Sequence, residues 1–350
     1  MNSRERSVAA MRGLTPDRVP VMPLIDTSYA AASYGVPVSE CFLNPVTHAR
    51  ALESCLERHP DLDGLSINIG LTPEVIREQA PTTDGWSVTT LDGSLWTVPA
   101  NDIGTPVRRE ITRFDDERLK LLDVLRPHIV ETLPHLHPKV LEQYNISVGL
   151  TGPFSQLAFM MGVEGVLTAM TGQPEELEAA VQLRVPFAIT WAEQVAEMRA
   201  PSVWIGEGVV SGSMISAVQY VNFVLPFEQQ VTTKLRELGI ALALHICGQA
   251  DNLLAEMVRS GTDCLEIDWQ VDLEAVKACV GSQVSLKGNL HTTRVALATP
   301  SEVYEDACRA IQAAKPGSGF ILSNDCALGR DTPPENVTAM ARAASDFGLY

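Results

Sequence analysis

Leu242-Ala-Leu-His-Ile-Cys-Gly248 follows a helix-like segment and the turn glycine Gly239. The apolar run 240–246 predicts a short strand covered on both faces, as in parallel sheets. Working outward, the chain keeps a regular rhythm. Upstream, a strand over 202–205 leads to Glu207 and then to a helix over 216–238. Downstream, helix 251–259 precedes strand 264–267, and helix 272–280 precedes strand 284–286. Helix 301–314 precedes strand 320–322, and Pro333 opens a last helix near its first turn.

The N-terminal half repeats this less evenly. Strands are predicted over 19–25, 64–69 and 146–151, with helices over 45–58 and 174–198. About eight strand–helix units in one chain predict an α/β fold, a single (β/α)8 TIM barrel spanning 1–350. An N-terminal helical extension occupies 1–18. The rival doubly wound sheet lacks its glycine fingerprint, since Gly206-Glu-Gly-Val-Val-Ser-Gly212 has the wrong spacing. Trp86-Ser-Val-Thr-Thr-Leu-Asp-Gly-Ser-Leu-Trp-Thr-Val98 predicts a β-hairpin with Asp92-Gly93 at its tip, an insertion over about 81–99. Helical segments fill 115–144, interrupted by prolines at 127, 134 and 138. Pro134-His-Leu-His-Pro138 reads as a surface turn, because nothing nearby supplies further metal ligands.

The chain is 45% hydrophobic and 20% charged, ordinary for a globular enzyme. A formal net charge of -17 argues against nucleic acid or an anionic membrane surface as a partner. No apolar run approaches the length needed to cross a bilayer. The polar start Met1-Asn-Ser-Arg-Glu-Arg6 does not read as a signal peptide, so a cytoplasmic location is expected. The seven cysteines are odd in number, which makes a disulfide framework an unsuitable reading.

Barrel enzymes carry their chemistry at the C-terminal ends of the strands. Those ends bear Asn68, Glu207, His245 with Cys247, Asp268, Asn289, and Asp325 with Cys326. Side chains alternate along a strand, so His245 and Cys247 point to one side. Alone, that pair reads either as two buried core residues or as two soft metal ligands. About eighty residues on, Gly319-Phe-Ile-Leu-Ser-Asn-Asp-Cys326 ends a second apolar strand with another cysteine. Together they make a His/Cys/Cys set with a fourth position free, the open arrangement of catalytic zinc. Two thiolates cancel the metal's formal charge, which suits holding a substrate thiolate better than making hydroxide. Glu207 also reads as a helix-start residue, Asp268 as a cap and Asn289 as turn support. Trp86, Trp96, Phe154 and Phe159 line an aromatic pocket or are ordinary packing.

The ordered set His245-x-Cys247, Gly288-Asn289, Gly319-Phe-Ile321, Cys326 and Pro334-Glu-Asn336 resembles the uroporphyrinogen decarboxylase superfamily. Within it, the chain is similar to the zinc-dependent corrinoid methyltransferases, which include methylcobamide:coenzyme M methyltransferases and O-demethylase components. The resemblance runs from Thr15-Pro-Asp-Arg-Val-Pro20 to the last helix and is most specific over 240–336. It implies a (β/α)8 barrel with His245, Cys247 and Cys326 as zinc ligands. It also implies methyl transfer to or from the cobalt of a separate corrinoid protein docked over the barrel mouth. Glu207 then becomes a fourth ligand or an acid near the metal, while Asp268 and Asn289 match pocket-lining positions. The alternative is a decarboxylase-type lyase acting on a porphyrinogen carboxylate. Those enzymes use an arginine-rich N-terminal segment, whereas Val19-Pro-Val-Met-Pro-Leu-Ile-Asp26 has no arginine, and Cys326 stands where they have a histidine.

Overall fold

The computed structural model describes residues 1–67, 70–71, 73–91, 94–107, 111–120 and 129–350. Strand β1 (Gly64–Ile67) is followed by β2 (Ile76–Thr82), β3 (Gly85–Thr90), β4 (Leu95–Pro99) and β5 (Thr105–Val107). Then come β6 (Asn145–Thr151), β7 (Ser202–Gly206), β8 (Ala241–His245), β9 (Cys264–Ile267), β10 (Ser285–Leu290) and β11 (Phe320–Asn324). A curled parallel sheet takes the order β1-β6-β7-β8-β9-β10-β11, and a separate antiparallel sheet takes β2-β3-β4-β5.

Alternation along the strands sorts side chains into two layers. Leu242 and Leu244 of β8, Leu265 and Ile267 of β9, and Val203 and Ile205 of β7 join the large core between sheet and helices. Ala241, Ala243, Cys264, Trp204 and Ile321 instead pack together on the concave face with Met22 and Leu24. The helix Ser3–Met11 contributes Ala10 and Met11 to that inner cluster. Ser285 Oγ ties it down by donating to the Ala10 carbonyl at 2.8 Å. The inner layer therefore has small residues toward the strand starts, where this helix plugs the sheet. Polar residues occupy the next layers, toward the C-terminal ends.

The stretch 19–25, expected as a strand, makes isolated parallel bridges only, Val21 with Leu322 on β11 and Leu24 with Ser66 on β1. Pro20 and Pro23 have no N–H, so a continuous ladder is impossible. Their carbonyls still accept from Leu322 N at 2.9 Å and Ser66 N at 3.2 Å. The same segment thus touches both edge strands of the sheet. Buried Asp63 secures it: Oδ2 accepts from Val21 N at 2.8 Å and pairs with Arg18 Nη1 at 2.9 Å, and Oδ1 pairs with Arg6 Nη1 at 2.5 Å.

Other expectations need correction. The predicted helix 174–198 is two helices, Pro174–Gln182 and Val185–Glu197, and 216–238 divides into Ala217–Phe223 and Leu225–Glu237. Pro186 and Pro226 fall in the first turn of each second helix, where a missing N–H starts a helix but cannot continue one. The hairpin 81–99 is the centre of a larger sheet, since β2 and β5 flank β3 and β4. Its Asp92-Gly93 tip lies outside the described residues, as do Asn68 and Ile69. Of the two readings of the aromatics, packing holds for Trp96, which sits 6.3 Å from Phe42 in a small core with Val88 and Val98, and for Phe154, which belongs to the large core. His137 accepts from Lys139 N at 3.2 Å, opening the helix Pro138–Gln143 as the surface-turn reading expects.

Candidate active site

His245 is the last residue of β8, so its side chain continues the inward-facing row of Ala241 and Ala243. Cys247 lies beyond the strand end, as expected, although the strand closes at His245 rather than at residue 246. Gly248, at φ 78°, turns the chain there, and its N–H donates to Asp268 Oδ2 at 2.8 Å. This turn brings Cys247 Sγ to 2.9 Å from His245 Nε2. The Trp204 ring packs edge-on against the imidazole with centroids 6.1 Å apart. Burial lowers the His245 pKa below its ordinary value, leaving the neutral imidazole that a metal requires.

Cys326 arrives from the end of β11. Thr292 Oγ1 accepts from the Cys326 N–H at 3.2 Å. Asp325 Oδ1 accepts from Thr292 N at 2.7 Å and from Thr292 Oγ1 at 2.5 Å. So held, the Cys326 sulfur is hydrogen-bonded to that of Cys247. The shared proton raises Cys247, with burial adding to the rise, and lowers Cys326 toward the thiolate. Cys326 is exposed while His245 is 5% exposed, so the pair spans the step from interior to solvent.

Three soft donors from two strand ends therefore form a contiguous chain, His245 Nε2 to Cys247 to Cys326. The contacts are pairwise hydrogen bonds; among the described residues no three His, Cys, Asp or Glu side chains already surround one point. The donor set nevertheless fits a thiophilic ion: a neutral imidazole, one sulfur close to the thiolate form, and no lysine or arginine among the groups these sulfurs meet.

The three predicted catalytic residues have other engagements. Glu207 follows β7, and its carboxylate crosses to the helix Pro153–Met161, accepting from Phe154 N at 3.2 Å and Ser155 N at 2.8 Å. It acts as that helix's cap. The fit requires Gly152, where a Cβ would stand 2.1 Å from Glu207 Oε1. Burial pushes Glu207 up to about 7 and Glu228 to about 8, the latter also repelled by Glu207 and bonded by Tyr220 Oη. Asp268 holds the Cys247–Gly248 turn, while its Oδ1 accepts from Gln270 N at 3.0 Å. Asn289 Nδ2 donates to the carbonyls of Asp268 and Val271 at 3.2 and 2.9 Å, bracing the loop below them. Beside His245 lie Glu266 of β9 and Lys287 of β10, a buried ion pair that the sequence does not signal, since a charged pair within an apolar strand pattern gives no motif.

The profile of the uroporphyrinogen decarboxylase (URO-D) family matches residues 88–347. The chain belongs to that family. A methylated-thiol--coenzyme M methyltransferase of Methanosarcina mazei is 28% identical over 198 residues, 56% of this chain and 52% of that relative. The chain thus aligns with about half the length of that relative. The methylcobamide:CoM methyltransferase MtaA of Methanosarcina barkeri aligns at 22% identity over 364 positions, 98% of each chain. Among solved structures, a methyltransferase from Methanosarcina mazei superposes with a TM-score of 0.78 at 21% identity, covering 99% of both chains. That last likeness concerns the fold.

Proposed function

We propose that this chain is a zinc-dependent methyltransferase moving a methyl group between a corrinoid carried by a separate protein and a small substrate. Zinc would be held by His245, Cys247 and Cys326. The favoured direction ends on a thiol: a carbon–sulfur bond forms, the cobalt–carbon bond breaks, and its electron pair stays on the corrinoid. The observation that carries the reading is the Cys247 sulfur, within reach of both the His245 imidazole and the Cys326 sulfur. Support comes also from relatives whose names specify methylcobamide or a methylated thiol as methyl source and coenzyme M as acceptor.

Bound there, zinc would supply Lewis acidity that favours the thiolate of a substrate thiol, or that polarises the heteroatom of a methylated donor in the reverse sense. The chain's own residues prepare for it. His245 presents a neutral ring nitrogen, and the hydrogen bond from Cys247 brings Cys326 toward the thiolate. Asp268 fixes the turn that carries Cys247, and Thr292 with Asp325 fixes the backbone of Cys326. Exposure of Cys326 leaves one side open to a substrate and to a corrinoid protein above the strand ends.

In this reading the whole chain is one (β/α)8 barrel, with segment 19–25 as the eighth stave and the antiparallel sheet as an insertion. Among the described residues no helix is long and apolar enough to cross a membrane, and we place the protein in the cytoplasm. The test is methyl transfer from methylcobalamin to a panel of small thiols, followed by loss of methylcobalamin absorbance, with uroporphyrinogen as a parallel substrate. Transfer that requires zinc supports the proposal. Carbon dioxide release from uroporphyrinogen, without methyl transfer, would replace it with the lyase.

A further inference from the structure

Three neighbouring strands place His245, Glu266 and Lys287 directly opposite one another, His245 against Glu266 between β8 and β9, and Glu266 against Lys287 between β9 and β10. All three are buried, at 5%, 7% and 3% exposure. Lys287 Nζ donates to Glu266 Oε1 at 2.5 Å and also to Ser66 Oγ on β1. The other Glu266 oxygen, Oε2, stands 3.7 Å from His245 Nδ1. Nδ1 has no hydrogen-bond partner among the described residues. The opposite ring nitrogen, Nε2, is the one that faces Cys247.

A buried charged pair is seldom what packing stability favours, because apolar replacements of similar volume are commonly as stable or more so. Here the pair has a directional consequence. Lys287 anchors one carboxylate oxygen and leaves the other aimed at the imidazole. A small rotation of Glu266 brings 3.7 Å to hydrogen-bond length. The carboxylate then accepts from Nδ1–H, and Nε2 keeps its lone pair for a ligated ion.

We infer that Glu266, held by Lys287, is a positioning residue that sets the orientation of His245 so that Nε2 is its metal-binding atom. This rests on the proposed zinc site and adds to it a carboxylate and an ammonium, neither of which ligates. Ser66 extends the same contact to β1, so three strands beyond β8 share in holding the imidazole.

The test uses the full chain and zinc alone. Zinc affinity is measured by competition with a chromophoric chelator for wild type and for the paired substitution Glu266→Leu/Lys287→Met, which leaves no buried charge unpaired. The inference predicts a folded variant whose zinc dissociation constant is raised about 10- to 100-fold. A folded variant binding zinc within about twofold of wild type would overturn it. Nitrogen-15 NMR of zinc-loaded wild type, with His245 assigned by its own substitution, decides the matter even if the variant fails to fold. The expected spectrum shows Nε2 on the metal and a slowly exchanging Nδ1–H; metal on Nδ1, or an Nδ1–H in fast exchange, contradicts the inference. Wild type that takes up no zinc would instead remove the proposed function, an outcome distinct from both.

Discussion

Glu228→Gln should stabilise this protein in alkaline solution and leave it nearly unchanged in acid. The carboxyl of Glu228 is 2% exposed; one oxygen accepts from Tyr220 Oη, and the other has no partner among the described residues. Burial, then the charge of Glu207, lifts it from 4.5 to about 8. The folded state therefore holds this proton more tightly than the unfolded chain does. The resulting stabilisation is complete below pH 4.5 and is lost as pH rises through about 8. A rise of that size has a ceiling of about 5 kcal/mol at about 1.4 kcal/mol per tenfold change in proton affinity. Glu207 and Glu228 share this burden, so the gain on removing the Glu228 charge at high pH falls below that ceiling, at about 2 kcal/mol. Glutamine keeps the shape of the neutral acid and an oxygen for Tyr220. Urea unfolding at pH 4 and 8.5 should give equal stabilities within about 1 kcal/mol at the lower pH and a variant more stable by about 2 kcal/mol at the higher. A variant with the pH dependence of wild type, or less stable at pH 8.5, refutes the reasoning.

Gly152→Ala should cost about 2–4 kcal/mol, because the new Cβ meets Glu207 Oε1 at 2.1 Å and drives the carboxylate off the helix it caps; thermal unfolding reads this, and an unchanged midpoint contradicts it. Asp63→Asn should cost about 3–5 kcal/mol by leaving Arg6 and Arg18 facing a buried neutral amide; the loss should appear as faster hydrogen exchange along segment 19–25. Cys247→Ser and Cys326→Ser should each reduce zinc from about one per chain to a small fraction. Cys279→Ser, at an exposed position on the helix Leu273–Val280, should change nothing, as elemental analysis would register.

Much of the architecture was legible because parallel strands advertise themselves as apolar runs. Those over 264–267 and 146–151 emerge within a residue of the structural strands. Proline chemistry explains where reading failed. Pro20 and Pro23 turn an apparent strand into two bridges, and Pro186 and Pro226 divide helices whose periodicity continues across them. At the site, the approach of His245, Cys247 and Cys326 was foreseeable from residue type and strand ends. The reason given for the first pair was incomplete, since the Gly248 turn, not strand alternation alone, delivers Cys247. Glu207 shows the limit more sharply: an acid at a strand end looks the same in sequence whether it faces a substrate or a helix terminus. The backbone of Phe154 and Ser155, brought alongside by the β6–β7 pairing, is what this carboxylate meets in the fold. Glu266 and Lys287 were invisible for a related reason, because their partnership depends on strand register.

X-ray absorption at the zinc edge of the purified protein, before and after adding a small thiol, tests the central claim most directly. The account predicts two sulfurs at about 2.3 Å and an imidazole nitrogen at about 2.0–2.1 Å, with a third sulfur entering when the thiol is added. A zinc shell of nitrogen and oxygen alone, or protein that takes up no zinc, would contradict it.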